Sequence, residues 1–310
     1  MTQVNMQQVK ELRDRTQAGL NDCRGALVEA GGDMEKAVEI ILKKGLAKSA
    51  KRAGAIATEG LVIARVAADQ KSGVLVEVNI QTDFAARNAE FIKFAETVAE
   101  VAMKAKSGAD LGAETFPGSS DTVEATRQAL VGKLGENITV RRWERLSIDG
   151  PGAVKSYVHM GGKIGVLLAA RVANDAAATR PELARFLEDT AMQVAAMAPL
   201  YLSPSEVPAD AKQKQTDIFD AQLAEEGKPT TARPKIIEGK LVKWMKEVCL
   251  LEQQSVLDGD KSVDDLRKAL GKELGGDVSI TRFARFQCGE GIDKPTGDDF
   301  AAEVAKMAGG

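Results

Sequence analysis

The chain has 310 residues, 42 basic against 45 acidic for a net charge of −3, and one His and three Cys. That length predicts two or more domains with real cores, and near-neutrality argues against non-specific nucleic-acid or membrane binding as the main task. A lone histidine, His159, excludes sites that need two, and scattered Cys23, Cys249 and Cys288 fit a reducing cytoplasm; no apolar run is long enough to span a membrane, and the first residues predict no signal sequence.

Residues 1 to about 45 read as three short helices. Val9 and Leu12 mark the inner face of the first, and Cys23, Ala26, Leu27 and Ala30 that of the second. Gly31-Gly32 ends the second helix, Asp33 is placed to cap the third, and Ala37, Ile40 and Ile41 face inward from it. Gly45 fits the position just past its end. The basic stretch 43–52 then reads as a solvated helix end and linker. An RNA-binding arm is the alternative, but no aromatic residues interleave with its charges.

The period then changes. Residues 61–66 and 74–78 read as a β-hairpin. A polar connecting segment, 79–88, leads to a helix with Phe91, Phe94, Ala95, Val98 and Ala102 on one stripe. A loop over 107–122, a helix over 123–134 and a strand over 138–145 follow.

The second half repeats this order. Gly165-Val-Leu-Leu-Ala-Ala170 matches Gly73-Val-Leu-Val-Glu-Val78, an offset of 92 residues. Val278-Ser-Ile-Thr-Arg-Phe-Ala-Arg285 matches Ile138-Thr-Val-Arg-Arg-Trp-Glu-Arg145, an offset of 140. The two offsets differ by 48 residues, which marks an insertion near 205–250. Helices over 211–225 and 235–248, joined by a turn with Pro229 and Pro234, make that insertion a projecting helical hairpin. A short amphipathic helix with Phe300, Val304 and Met307 ends the chain. The fold class is therefore α+β: a three-helix module, a duplicated core with antiparallel sheets, an inserted hairpin and a C-terminal helix.

Catalytic signatures are missing. Gly150-Pro-Gly-Ala-Val-Lys-Ser156 has Val154 where a phosphate loop needs Gly before the Lys. No Gly-x-Gly-x-x-Gly and no Gly-x-Ser-x-Gly is present. Cys23 sits at core spacing, so a cysteine hydrolase pairing it with His159 is a remote alternative. No metal or cofactor is expected.

Three segments in order resemble the bacterial elongation factor Ts family. They are Val9-Lys-Glu-Leu-Arg-Asp-Arg-Thr-Gln-Ala-Gly-Leu-Asn-Asp-Cys-Arg-Gly-Ala-Leu27, Asn79-Ile-Gln-Thr-Asp-Phe-Ala-Ala-Arg87 and Tyr157-Val-His-Met-Gly-Gly-Lys-Ile-Gly-Val166. Leu134-Gly-Glu-Asn-Ile138 and Cys288-Gly-Glu-Gly-Ile292 add to them. The resemblance implies a guanine-nucleotide exchange factor for elongation factor Tu that makes and breaks no bonds. It implies a ubiquitin-associated-like module with linker over 1–55 and core subdomains over 56–146 and over 147–204 with 250–292. It also implies a dimerisation hairpin over 205–249, giving a homodimer or a two-to-two complex, and a C-terminal module over 293–310 that also docks on Tu.

By the same resemblance Thr82, Asp83, Phe84 and Ala85 intrude beside the partner's nucleotide site and dislodge its Mg²⁺. Lys10, Arg13, Leu20, Asn21, Arg24 and His159 are further contacts. Leu20-Asn21 stands where the family usually has Met-Met, and Arg24 where it usually has Lys. Phase alone leaves Phe84 open to a second reading, since seven residues separate it from Phe91 and a place in the core stripe is equally allowed. A scaffold that binds ubiquitin-like proteins through the N-terminal module is the other competing reading.

Overall fold

The computed structural model describes residues 4–16 and 18–293. The helix expected over 299–307 lies outside the described residues. Helices α1 (Met6–Thr16), α2 (Leu20–Glu29) and α3 (Met34–Arg52) form the N-terminal module. Val9, Leu12, Cys23, Ala26, Leu27 and Ala37 are its buried core. The Asp33 side chain caps α3 by accepting from the Lys36 amide at 3.1 Å.

The core begins with strands β1 (Glu59–Val66) and β2 (Ser72–Ile80), then α4 (Asp83–Ala86), α5 (Ala89–Lys104), α6 (Val123–Leu134) and β3 (Ile138–Ser147). These strands form an antiparallel sheet in the order β1-β2-β3. Next come β4 (Gly152–His159), β5 (Ile164–Val172), α7 (Asp175–Ala178), α8 (Pro181–Met197), the hairpin helices α9 (Ala209–Glu225) and α10 (Arg233–Val248), then α11 (Val263–Leu274) and β6 (Val278–Gln287). The second sheet runs β4-β5-β6, again antiparallel.

Strand periodicity explains the layering. Successive side chains on β2 point to opposite faces. Val74, Val76, Val78 and Ile80 pack under α5 and α6, while Leu75 faces the other sheet. On β5, Val166, Leu168 and Ala170 pack under α8 and α11, while Leu167 and Ala169 face back. The core is thus four layers, helix–sheet–sheet–helix, and β2 and β5 are buried on both faces, which is why they read as continuous apolar runs.

The duplication extends to fine detail. Both sheets carry a bulge at matching places, between Glu77 and Val78 and between Ala169 and Ala170. Arg127 donates to the carbonyl of Ile138 and Arg267 to that of Val278, each at 2.6 Å. Gly60 and Gly152 both take a positive φ where a Cβ would run into the neighbouring strand's backbone.

Three differences from the sequence reading have physical causes. Helix α3 does not stop at Gly45 but runs on to Arg52, so the basic stretch is helix, not linker. Helix α3 crosses α6 at Gly45: a Cβ on Gly132 would sit 2.8 Å from the Cα of Gly45, whereas a Cβ on Gly45 itself would meet nothing within 4 Å. The close-approach glycine of the crossing is Gly132, and Gly45 is a glycine tolerated inside a helix. Strand β4 has no counterpart in the sequence reading, since Lys155, Ser156 and His159 dilute its apolar pattern. The loop over 107–122 contains a short 3₁₀ turn, Leu111–Ala113, that buries Leu111.

Candidate functional site

Strand β2 delivers its C-terminal end, Ile80, straight into the segment Gln81–Thr82 and the single turn of α4. Thr82 caps that turn, its Oγ1 accepting from the Ala85 amide at 3.2 Å. Ala86 is buried beneath the turn, and Ala85 packs partly against the same core. Asp83 pairs with Arg87 at 3.2 Å, both exposed. Phe84 points outward and is 83% exposed, so it is not part of the Phe91/Phe94 stripe.

The loop before β3 holds this turn. Glu136 accepts from the Thr82 amide (3.1 Å) and from Thr82 Oγ1 (2.8 Å). Asn137 donates its amide to Gln81 Oε1 at 2.7 Å and its side-chain Nδ2 to the carbonyl of Ala55 at 2.7 Å. One short loop therefore fixes both the turn and the chain leaving the N-terminal module. Gln81, Glu136 and Asn137 were not named individually from sequence. Gly135, the left-handed C-cap of α6, followed by two polar residues, was the available signal.

Lys10 and Arg13 on α1, and Leu20, Asn21 and Arg24 on α2, are all exposed. A groove runs between the module and α6, lined by Gly19, Asp22, Leu42 and Leu46 on one side and Leu134 and Gly135 on the other. It brings the start of α2 toward the loop that holds Thr82.

His159 ends β4 and is exposed; its Nδ1 shares a hydrogen bond with Tyr157 Oη at 2.9 Å, and the rings stack. The β4–β5 turn leans on β1. Val62 donates its amide to the carbonyl of Gly162 at 2.7 Å, and Lys163 pairs with Glu59 at 2.6 Å. Glu59 lies opposite Ile80 in the sheet, so the hairpin bearing His159 and the turn bearing Phe84 share one end of the first sheet.

The competing chemistry finds no support in the geometry. Cys23 is wholly buried, and burial pushes its thiol pKa up, against nucleophilic use. Burial likewise pushes Cys249 and Cys288 up to about 11. On α3, Lys43 pairs with Glu39 and Lys44 with Glu29. Among the described residues no cluster of His, Cys, Asp and Glu is arranged to hold a metal ion, and no helix is long and apolar enough to cross a membrane.

A family model described as Elongation factor TS matches residues 81–290. The chain is 46% identical over 308 residues to elongation factor Ts of a Clostridium perfringens strain, covering 99% of each chain. It is 44% identical over 308 residues to that of a Clostridium botulinum strain, again over 99% of each. Against that of a Nitratiruptor species the identity is 45% over 306 residues, 97% of this chain and 98% of the relative. Fold, segment order and near full-length identity agree, and the chain belongs to the elongation factor Ts family of translation elongation factors.

Proposed function

We propose that this protein is a guanine-nucleotide exchange factor that acts on elongation factor Tu in the cytoplasm during translation elongation. The observation that carries the reading is Phe84: a large aromatic, almost fully exposed, on a turn that is capped, clamped and seated on a buried alanine. A solitary exposed aromatic on a rigid support is the form a partner-contacting anchor takes.

A GTPase holds its nucleotide through Mg²⁺ and backbone amides around the phosphates. An exchange factor needs no acid, base or nucleophile there. It must bind the nucleotide-free partner more tightly than the loaded one, because only a difference in affinity moves the equilibrium. Burying Phe84 in the partner is worth about 1.5–3 kcal/mol, enough to shift nucleotide affinity by roughly 10- to 100-fold. Thr82 and Ala85 hold the turn, and Asp83 at its tip faces the groups around Mg²⁺. Lys10, Arg13, Leu20, Asn21 and Arg24 supply a second contact from the N-terminal module, and His159 a third.

The units proposed for these tasks are 1–55, 56–146, 147–204 with 250–292, 205–249 and 293–310. The hairpin of α9 and α10 is proposed to pair two copies, and the C-terminal segment to dock on Tu. The test is release of fluorescent GDP from purified Tu after mixing with the full chain and excess unlabelled GDP. Release accelerated at least tenfold is expected; release at the spontaneous rate refutes the exchange reading.

A further inference from the structure

We propose that Glu136 is the positioning residue of the exchange turn, setting the direction of Phe84 through Thr82; this rests on the exchange reading above. The hydroxyl of Thr82 has one proton. It goes to Glu136 Oε1 at 2.8 Å, which leaves the oxygen lone pairs for the Ala85 amide at 3.2 Å. The second carboxylate oxygen takes the Thr82 amide at 3.1 Å. Glu136 thereby fixes both the backbone and the hydroxyl rotor of the residue that caps α4. A four-residue helix has no intrinsic stability, so its direction is set by its caps and by the burial of Ala86.

The internal duplication provides an independent comparison. In the second half the turn recurs as α7, capped by Asn174, whose side chain accepts from the Ala177 amide at 2.9 Å. At the offset of 92 residues Phe84 corresponds to Ala176, and at the offset of 140 Glu136 corresponds to Gly276. The turn therefore folds without any carboxylate beneath it. The clamp occurs in the copy that carries the exposed aromatic and is missing from the copy that carries alanine. Glu136 is not required to make a turn of this kind: in the second copy a Cβ on Gly276 would collide with that of Ala173, which leaves no room for the clamp, and the turn forms on its Asn174 cap alone.

The experiment is a double-mutant cycle on the full chain: wild type, Glu136→Gln, Phe84→Ala and both together. For each, the maximal rate of fluorescent GDP release from Tu and the factor concentration giving half that rate are measured, alongside the urea midpoint. Glutamine keeps the size and can still take the Thr82 amide on its oxygen, but its amino group then faces Thr82 Oγ1, whose proton loses its acceptor and whose rotor is released. Glu136→Gln is expected to lower the maximal rate five- to tenfold with less than a twofold change in half-saturating concentration. In the Phe84→Ala background it should cost less than twofold, because there is no ring left to aim. Equal losses in both backgrounds, or a wild-type rate for Glu136→Gln, overturn the proposal while leaving the exchange reading intact. A wild-type rate for Phe84→Ala overturns both. Should Glu136→Gln lower the urea midpoint enough to obscure the rates, Thr82→Val in the same cycle removes the relay from the other side, and the same non-additivity decides.

Discussion

Arg142 reaches the wholly buried carboxylate of Glu77 through its Nε, and its guanidinium lies 4.4 Å over the ring of Phe286. Arg141 donates to the same carboxylate at 3.1 and 3.2 Å. Neighbours on a strand normally point to opposite faces. Here Glu77 pairs with Arg142 while Val78 pairs with Val140, so Arg141 is the extra residue of a bulge, and the bulge lets both arginines serve one carboxylate. The Gly289 amide and Asn79 Nδ2 complete the set at 2.7 and 3.0 Å. Sheet one, β6 and the segment beyond it are tied together at this point.

Removing Glu77 should therefore destabilise the core strongly. Glu77→Ala leaves Arg141 and Arg142 partly buried with only the 3.6 Å pair between Arg142 and Glu290 as counter-charge, and breaking such a buried set costs about 3–5 kcal/mol. Urea unfolding followed by circular dichroism should show the midpoint fall accordingly. A loss under about 1 kcal/mol would mean that water or a rearranged side chain replaces the carboxylate.

The same group predicts an acid limb. Burial pushes the Glu77 pKa up, but the Gly289 amide, Arg142 and Asn79 bonds outweigh it and hold the value below the ordinary carboxylate range. A folded-state value below the unfolded one contributes stability that is complete above the unfolded value, about 4.3, and is lost as pH falls through the folded value. The stability gap between wild type and Glu77→Gln should be constant from about pH 7 to 5 and narrow toward about pH 3. A gap independent of pH over that range would contradict the assignment.

The crossing of α3 and α6 should depend on Gly132. A larger side chain there meets the backbone of Gly45, which cannot rotate away. Gly132→Val should cost about 1–3 kcal/mol by overpacking and loosen the N-terminal module. Amide hydrogen exchange should speed up on α3 while the sheets keep wild-type protection. Unchanged exchange on α3 would show that the helices separate without penalty.

His159 stands apart from Phe84 on a different hairpin at the same end of the sheet. Its ring is exposed and leans on Tyr157. His159→Ala should weaken affinity for Tu about three- to tenfold, read by calorimetry on the nucleotide-free complex, while the free energy of urea unfolding stays within about 0.5 kcal/mol of wild type, as for other surface substitutions. An unchanged affinity would make the ring a purely local partner of Tyr157.

Much of the architecture was legible because it is written twice. The matched strands at residues 73 and 165, and at 138 and 278, locate four of six strands, and their unequal offsets locate the hairpin. Strand β4 escaped because its alternation is diluted by polar residues at an edge. Gly45 misled because a glycine tolerated inside a helix and one that ends a helix look alike in one dimension. The exposed state of Phe84 could not be read from phase, since its spacing from Phe91 also suits a core position. Glu136, which joins the turn from 54 residues away, and Glu77, whose partners come from β3 and from beyond β6, are long-range relationships that no local pattern carries.

The central claim is that Phe84, held rigidly and left exposed, drives nucleotide release. It is tested most directly by comparing Phe84→Ala with wild type in stopped-flow release of fluorescent GDP from Tu, at factor concentrations that saturate each. An exposed ring contributes little to folding, so the free energy of urea unfolding should stay within about 0.5 kcal/mol of wild type. The maximal release rate should fall by roughly 10- to 100-fold, the equivalent of the ring's burial in the partner. A folded Phe84→Ala protein that releases GDP at the wild-type rate would contradict the account.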